Sequence, residues 1–478
     1  MKQNKYINYL SILIFIAAIC VNSGCKTKKE NELLPLLLAG AAVYSSIDRK
    51  APAEVTNLKA QTNHTQVVLT WKDPVDTDYD HVEITWNPGG VKVQTVNAGK
   101  ETLTALNLKN GTSYTFTVKT MDTSGNISSG KITKATPKPF AGSQVIHTIG
   151  NVSFNMRYVP SKIFMSGEND DGDKDNSGDA LGSFDEPNGS KVKTSYWIAE
   201  TEVTYELWKA VYMWATTDAG GGRRADGGVL YSFANPGNQG SDSCPASTSP
   251  VGTNQQPVTC INWRDAIIWM NALTEYHNAV EGTSFKCVYT SDSGYSTPIR
   301  TSTNSTTVTW DAGSVYSGTE DEPYVNPDAN GFRIPKWNEW ILAAKYIEDA
   351  NNDGDIMDNG EFYPGTHVSG DSSNPADIST NSGNYAWYST NSSSMTHEVG
   401  TKKANALGLY DMSGNVIEHL FDFQPDWIAW DLGRMMHGGS FADTRFTIHL
   451  GYFYSDGALP FYPYYKYDNV GIRPVRSE

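Results

Sequence analysis

The stretch Gly408-Leu409-Tyr410-Asp411-Met412-Ser413-Gly414-Asn415-Val416 decides how the larger part of this chain is read. One reading of its glycines and short polar side chains is a tight turn in which Asp411 caps the backbone. Other phrases flank it in a fixed order. Upstream stand Phe164-Met165-Ser166-Gly167, Glu202-Val203-Thr204 with Trp208, and Pro257-Val258 with Trp263, Asp265 and Ala266. Arg333-Ile334-Pro335 follows, with Glu339-Trp340 and Ala343-Ala344. Downstream stand Gly438-Gly439-Ser440 and Gly471-Ile472-Arg473. Between these phrases helical periodicity is sparse. Apolar spacing predicts helices over 263–276, begun by Asn262, over 336–347, following Pro335, and over 204–214. The rest of the chain from about Gln144 reads as loops and short strands. The Trp-, Tyr- and Gly-rich composition suits a loop-rich extracellular fold better than a helical bundle.

In this order the phrases resemble the formylglycine-generating, sulfatase-modifying enzyme family. The resemblance implies an irregular α+β domain with a C-type-lectin-like fold over residues 144–478. It also implies calcium as a structural cofactor. In that family the loop equivalent to 411–418 binds the ion, which assigns the side chains of Asp411 and Glu418 and the carbonyls of Gly414 and Val416. Calcium takes several oxygen ligands and accepts such a mixture. A capped turn without metal is the alternative.

The same family holds a copper ion between two cysteines of its final segment, because a cuprous ion prefers soft thiolates. Alignment on Gly438-Gly439-Ser440 puts Asp443 and Ile448 at those positions, and no cysteine follows Cys287. No copper is expected and no catalytic residue is assigned. Two alternatives stay open: an enzyme using other groups, such as Asp443 and His449 with a metal, and a structural component of the envelope.

The tail offers a different surface. Between Phe441 and Arg476 stand Phe446, Tyr452, Phe453, Tyr454, Phe461, Tyr462, Tyr464, Tyr465 and Tyr467, interleaved with Asp443, Thr444, His449 and Asp456. Tyrosine with short polar residues makes large amphipathic contacts at low entropic cost, as in antibody paratopes. The stretch contains no Met, Trp, Gln or Glu, and Lys466 is its one lysine. Those five types lack codons ending in a pyrimidine. In this the tail resembles the variable region of diversity-generating retroelement proteins, which randomise a ligand-binding face on the same scaffold. The expected ligand is a protein or a glycan.

Two acidic insertions invite a second calcium reading. Asp349, Asn351, Asp353 and Asp355 place oxygens at alternate positions around Gly354, like the front of an EF-hand loop, although Glu361 closes it one residue late. Residues 171–179 also alternate acids with Gly and Ser, and read as a solvated loop.

The start of the chain reads as an export signal. Lys2 and Lys5 precede an apolar stretch from Leu10 to Val21, which is short for a membrane span. Asn22-Ser23-Gly24-Cys25 resembles a bacterial lipoprotein cleavage site, with residues 1–24 removed and Cys25 lipidated. An ordinary secretory signal is the alternative. Residues 25–50 read as a tether. The lipoprotein reading places the chain in the bacterial cell envelope, with the membrane engaged through the lipid anchor; the outer-membrane surface is the expected side, and inner-membrane placement is the alternative. Cys244, Cys260 and Cys287 then remain, enough for one disulfide of unspecified pairing.

Residues 51–138 switch to period-two alternation between turn signals. Strands are expected at 67–71, 81–86, 103–108 and 114–118, the last presenting Tyr114, Phe116 and Val118 on one face. With Trp71, Leu108 and Tyr114 at their relative places, this segment resembles a fibronectin type III domain, an all-β sandwich. The formal net charge of the 478-residue chain is -16, which argues against a nucleic-acid partner.

Overall fold

The computed structural model describes residues 48–89, 93–164, 190–217, 230–241, 244, 252–308, 318–372, 378–423, 433–452 and 461–478. The export signal, Cys25, most of the tether, the acidic run 171–179, Tyr454 and Asp456 lie outside the described residues. The chain divides into two compact units, residues 1–138 and 139–478.

The first unit is a sandwich of two antiparallel sheets. Strands β1 (Thr56–Asn63), β2 (Gln66–Lys72) and β5 (Thr102–Ala105) make one sheet. Strands β3 (Tyr79–Asn87), β4 (Gln94–Asn97), β6 (Tyr114–Asp122) and β7 (Lys131–Ala135) make the other, in the order β4-β3-β6-β7. Strand β6 shows why the sequence folds this way. Its residues alternate strictly between buried and half-buried, so every second side chain enters the core. Phe116 and Val118 there meet Val67, Leu69, Trp71, Val82 and Ile84 from other strands. The Tyr114 hydroxyl accepts the Lys109 N–H at 2.9 Å, which ties the strand's start to the turn before it. Strand β5 stops earlier than the periodicity predicts. Asn107 takes a left-handed φ of 57°, and Leu108 instead enters the core with its N–H bonded to the Thr65 carbonyl at 2.8 Å.

The second unit carries an antiparallel five-stranded sheet. Its strands are β8 (Gln144–Ile149), β9 (Val152–Val159), β10 (Tyr196–Ala199), β11 (Phe332–Arg333) and β15 (Val475–Ser477), in the order β11-β15-β10-β9-β8. Helices α1 (Tyr205–Thr216) and α2 (Trp263–Glu281) stack aromatic on aromatic, with Trp208 parallel to Trp269 at 5.4 Å and Trp214 parallel to Tyr276 at 4.8 Å. Each begins where a polar cap replaces missing helical acceptors. Thr204 accepts the Leu207 N–H at 3.2 Å, and Asn262 and Asp265 form a reciprocal capping box. Helix α2 runs past the predicted Tyr276 because no breaker occurs before Gly282, which closes it in the left-handed conformation.

Helix α3 (Trp337–Lys345) explains the Arg333 and Glu339 phrase. The Arg333 guanidinium donates two hydrogen bonds of 2.7 Å to the Glu339 carboxylate, which also accepts the Lys336 N–H at 2.9 Å. One bidentate pair therefore fixes strand, turn and helix start together. A short helix, α4 (Ile378–Tyr385), follows later. Three further strands gather the signature phrases. Strand β12 (Ile417–Phe423) pairs antiparallel with β13 (Arg434–His437) and parallel with β14 (Val470–Gly471). Among the described residues no helix is long and apolar enough to cross a membrane.

Candidate functional site

Strand β12 follows the Gly408–Val416 phrase, and its neighbour β14 precedes Arg473. The pairing closes a buried charge cluster. Arg473 donates through Nε to Glu418 Oε1 at 2.8 Å and Oε2 at 3.1 Å, and its Nη2 stands 2.7 Å from Oε1 as an ion pair. The Trp340 indole N–H donates to Glu418 Oε2 at 2.7 Å. Remaining guanidinium donors reach the carbonyls of Ala199 and Tyr410 at 3.0 and 2.8 Å. Glu202 accepts the Val416 N–H at 3.0 Å and the Asn415 side-chain amide at 2.7 Å. Asp411 accepts the Gly400 N–H at 2.7 Å through Oδ2, while Oδ1 is buried without a donor. Burial, then the neighbouring Asp411 and Glu418 carboxylates, raises the Glu202 pKa well above the usual carboxylate range. Burial likewise pushes Asp411 up to about 6.

This geometry bears on the two side chains among the four expected calcium ligands. Asp411 has an open oxygen and fits. Glu418 does not, because its two oxygens are already taken by Arg473 and Trp340. Gly414 is held for a backbone reason. At φ 81° an added Cβ would stand 2.2 Å from the Trp387 carbonyl oxygen. Of the carboxylate oxygens in this cluster, Asp411 Oδ1 is the one left without a donor.

The Gly438-Gly439-Ser440 turn positions the two residues aligned with the family's cysteines. A Cβ on Gly439 would meet Ile448 Cα at 3.0 Å, so the chain passes Ile448 only as glycine. Ile448 is fully buried and packs with Val368, Ala386 and Tyr388. Asp443 Oδ2 accepts both the Ser440 N–H at 2.8 Å and the Ser440 hydroxyl at 2.6 Å. One position is therefore a turn brace and the other an apolar plug. They offer no soft ligand pair.

The remaining described tail residues differ in burial. Tyr462, Tyr464 and Tyr465 form a half-buried cluster. The rings of Tyr462 and Tyr464 are parallel at 5.3 Å, and Tyr465 lies edge-on to Tyr464 at 4.7 Å. Tyr467 extends the row at 5.9 Å from Tyr465, and packs with Phe461 on a small core of Ile417, Met436 and Val470. Burial and the neighbouring Tyr465 hydroxyl push the Tyr464 pKa up to about 12, so it stays neutral. Thr444 and Phe446 are exposed, Phe446 by 60% with the Arg445 guanidinium over its ring. Tyr452 is half-buried. His449, expected on the face, is buried instead; burial lowers its pKa to about 4.

The supports of the tyrosine cluster escaped the sequence reading. Cys244 and Cys260 are disulfide-bonded, leaving Cys287 free. The Cys260 N–H donates to the Tyr467 carbonyl at 2.9 Å. The Arg434 N–H donates to the Phe461 carbonyl at 2.9 Å, and Lys466 Nζ donates to the Asn235 side chain at 2.7 Å. The Arg264 guanidinium stands 6.0 Å from the Tyr464 ring and is itself paired with Asp321. These supports come from three segments, around Asn235, at Cys260 to Arg264, and at Arg434. The odd thiol count was the one local sign that a staple lay nearby.

The acidic insertion 349–361 folds on a run of local hydrogen bonds. Asp349 pairs with Lys162, Asn351 accepts the Asp353 N–H at 2.9 Å, Asp353 accepts the Asp355 N–H at 3.1 Å, and Asp355 accepts the Met357 N–H at 3.0 Å.

Comparison with known proteins agrees with this fold. A model of the sulfatase-modifying factor enzyme 1-like domain matches residues 156–478, and one of the fibronectin type III domain matches residues 51–135. The chain belongs to the sulfatase-modifying factor enzyme 1-like family and carries a fibronectin type III domain ahead of that region. It is 27% identical to the chaperone protein LppX of Paenibacillus barcinonensis over 239 residues, 47% of this chain and 71% of that protein. Among solved structures, Treponema denticola variable protein 1 is 24% identical, covering 70% of this chain and 99% of its own at a TM-score of 0.45. CarF is 22% identical, covering 68% and 98% at a TM-score of 0.44.

Proposed function

We propose that the chain is an envelope lipoprotein whose family domain recognises a ligand by contact through its C-terminal aromatic turn. Cys25 carries the lipid and holds the chain on the membrane, at the outer surface. The ligand is a protein or a glycan. The observation that carries this reading is the tyrosine cluster itself. Tyr462, Tyr464 and Tyr465 remain half-exposed while their backbone is tied down at Phe461 and Tyr467. Rigid aromatic anchors on a fixed backbone lose little entropy on binding. The tail's restricted residue set supports retroelement diversification of the same face. Asp443 and Ile448, where the family has its cysteines, favour binding over oxidation.

The test replaces Tyr462, Tyr464 and Tyr465 with alanine and measures binding to arrayed glycans and extracellular proteins. The reading expects binding to be lost while the melting profile is kept. Thiol-dependent oxygen consumption by the purified chain would overturn it.

A further inference from the structure

The loop 349–361 follows helix α3 and sits outside both the carboxylate cluster and the aromatic turn. Its backbone is fixed at several points. The Ile356 N–H donates to the Ile163 carbonyl at 2.9 Å, and the Ile356 side chain is fully buried in the core around Trp340. The N–H groups of Ile347 and Glu348 both donate to the Glu361 carbonyl, at 2.9 and 3.2 Å. Gly354 makes the sharp bend at φ 101°. Between these anchors the chain carries Asp349, Asp353, Asp355, Asp358 and Glu361.

Two buried oxygens in this loop have no hydrogen-bond donor. Glu361 is only 3% exposed, yet its carboxylate reaches back across the loop, with Oε1 accepting the Ala350 N–H at 2.7 Å. Its second oxygen, Oε2, is buried and unpartnered. Asp349, with a side chain 8% exposed, gives one oxygen to Lys162 and leaves Oδ1 buried and unpartnered. Leaving a buried carboxylate oxygen unsatisfied is costly, and a cation is the partner that would satisfy both. Glu361 is the residue that counting along the sequence placed one step too late. Its buried carboxylate compensates by folding back over the loop's start.

We propose that residues 349–361 bind a calcium ion, with Asp349, Asp353, Asp355 and Glu361 supplying the carboxylate oxygens. Oxygen-only donors of this number suit calcium over softer or smaller ions. No three of these ligand atoms lie within 4.8 Å of one another in this structure. Asp353 is exposed and Asp355 half-exposed, so convergence turns solvated side chains and leaves the anchored backbone in place. Lys162 competes, because its ammonium already neutralises the Asp349 carboxylate through the other oxygen.

The experiment titrates calcium chloride into the full chain by calorimetry, with magnesium chloride as comparison. The variants are Asp353→Asn with Asp355→Asn, and separately Lys162→Met. The unaltered chain is expected to bind calcium in the range of about 0.1–1 mM, as extracellular modules do, and magnesium more weakly. The double variant should lose one calcium equivalent. Lys162→Met should bind more tightly, by roughly tenfold for the loss of one competing charge. Equal calcium binding by the unaltered chain and a folded double variant overturns the proposal. So does a Lys162→Met affinity that is unchanged or weaker, which keeps the test decisive if the double variant fails to fold.

Discussion

The N–H of Cys260 donates to the carbonyl of Tyr467 at 2.9 Å, so a disulfide-bonded residue holds the end of the aromatic turn. Cys260 has a left-handed φ of 55°, a conformation that a non-glycine residue keeps only when its surroundings enforce it. The Cys244 bridge is one such constraint. Replacing Cys244 with serine should lower stability by about 3 kcal/mol, the chain-entropy cost of opening a loop of this size. Amide exchange should quicken at Cys260 and Tyr465 before it quickens in helix α2. Differential scanning calorimetry and mass-resolved exchange check the two parts.

Asp411 gives a pH prediction with a definite sign. Its folded pKa is about 6, raised by burial from the ordinary value of 3.8. It therefore favours the fold below the unfolded value, and that contribution is lost as the pH rises towards about 6. In calcium-free buffer, Asp411→Asn should be more stable than the unaltered chain near neutral pH, by about 1–3 kcal/mol. The gain should vanish near pH 4, where both side chains are neutral. Urea titrations at the two pH values measure it.

His147 predicts the opposite slope. Its Nδ1 meets His277 Nε2 at 2.9 Å, and its ring packs against Phe154 and Phe332. Burial, then His277 and Arg476, lowers its pKa to about 3. A base so depressed favours the fold above its ordinary value of 6.5, and that contribution is lost as the pH falls towards about 3. Near pH 5 the loss should be about 2 kcal/mol. His147→Leu should flatten stability against pH over that window. An unchanged slope would count against the assignment of His147 as a neutral buried base.

Tyr114 supplies a prediction confined to the fibronectin domain. Tyr114→Phe removes only the hydroxyl that accepts the Lys109 N–H. The domain should lose about 1–2 kcal/mol, with its strand pairing kept. Chemical denaturation followed through Trp71 fluorescence would register the change.

The sequence was most legible where local chemistry and tertiary role coincide. Asn262 with Asp265 both announces a helix start and caps it, and Tyr114, Phe116 and Val118 both alternate and fill a core. Arg333 and Glu339 were readable as a family phrase, but their bidentate pairing needed the fold. The tail was only partly legible. Its tyrosines were recognisable by type, and three of them do cluster. His449 has the same polar character as its neighbours, yet the chain turns it inward. Asp443 was weighed as an outward contact, whereas a carboxylate three residues after a serine also suits a closed turn. The supports from Asn235, Arg264 and Arg434 carry no local signal, because each acts on a residue outside its own turn or helix, and Cys260 stands out in the sequence only as one of three candidate thiols.

The most direct measurement is a binding titration of the Tyr462→Ala, Tyr464→Ala, Tyr465→Ala variant beside the unaltered chain and an Ile132→Ala control. The probe is each arrayed glycan or protein that the unaltered chain retains. The account predicts that the triple variant melts normally and loses every such interaction, while the control keeps them. Retention of those interactions by a folded triple variant would contradict it.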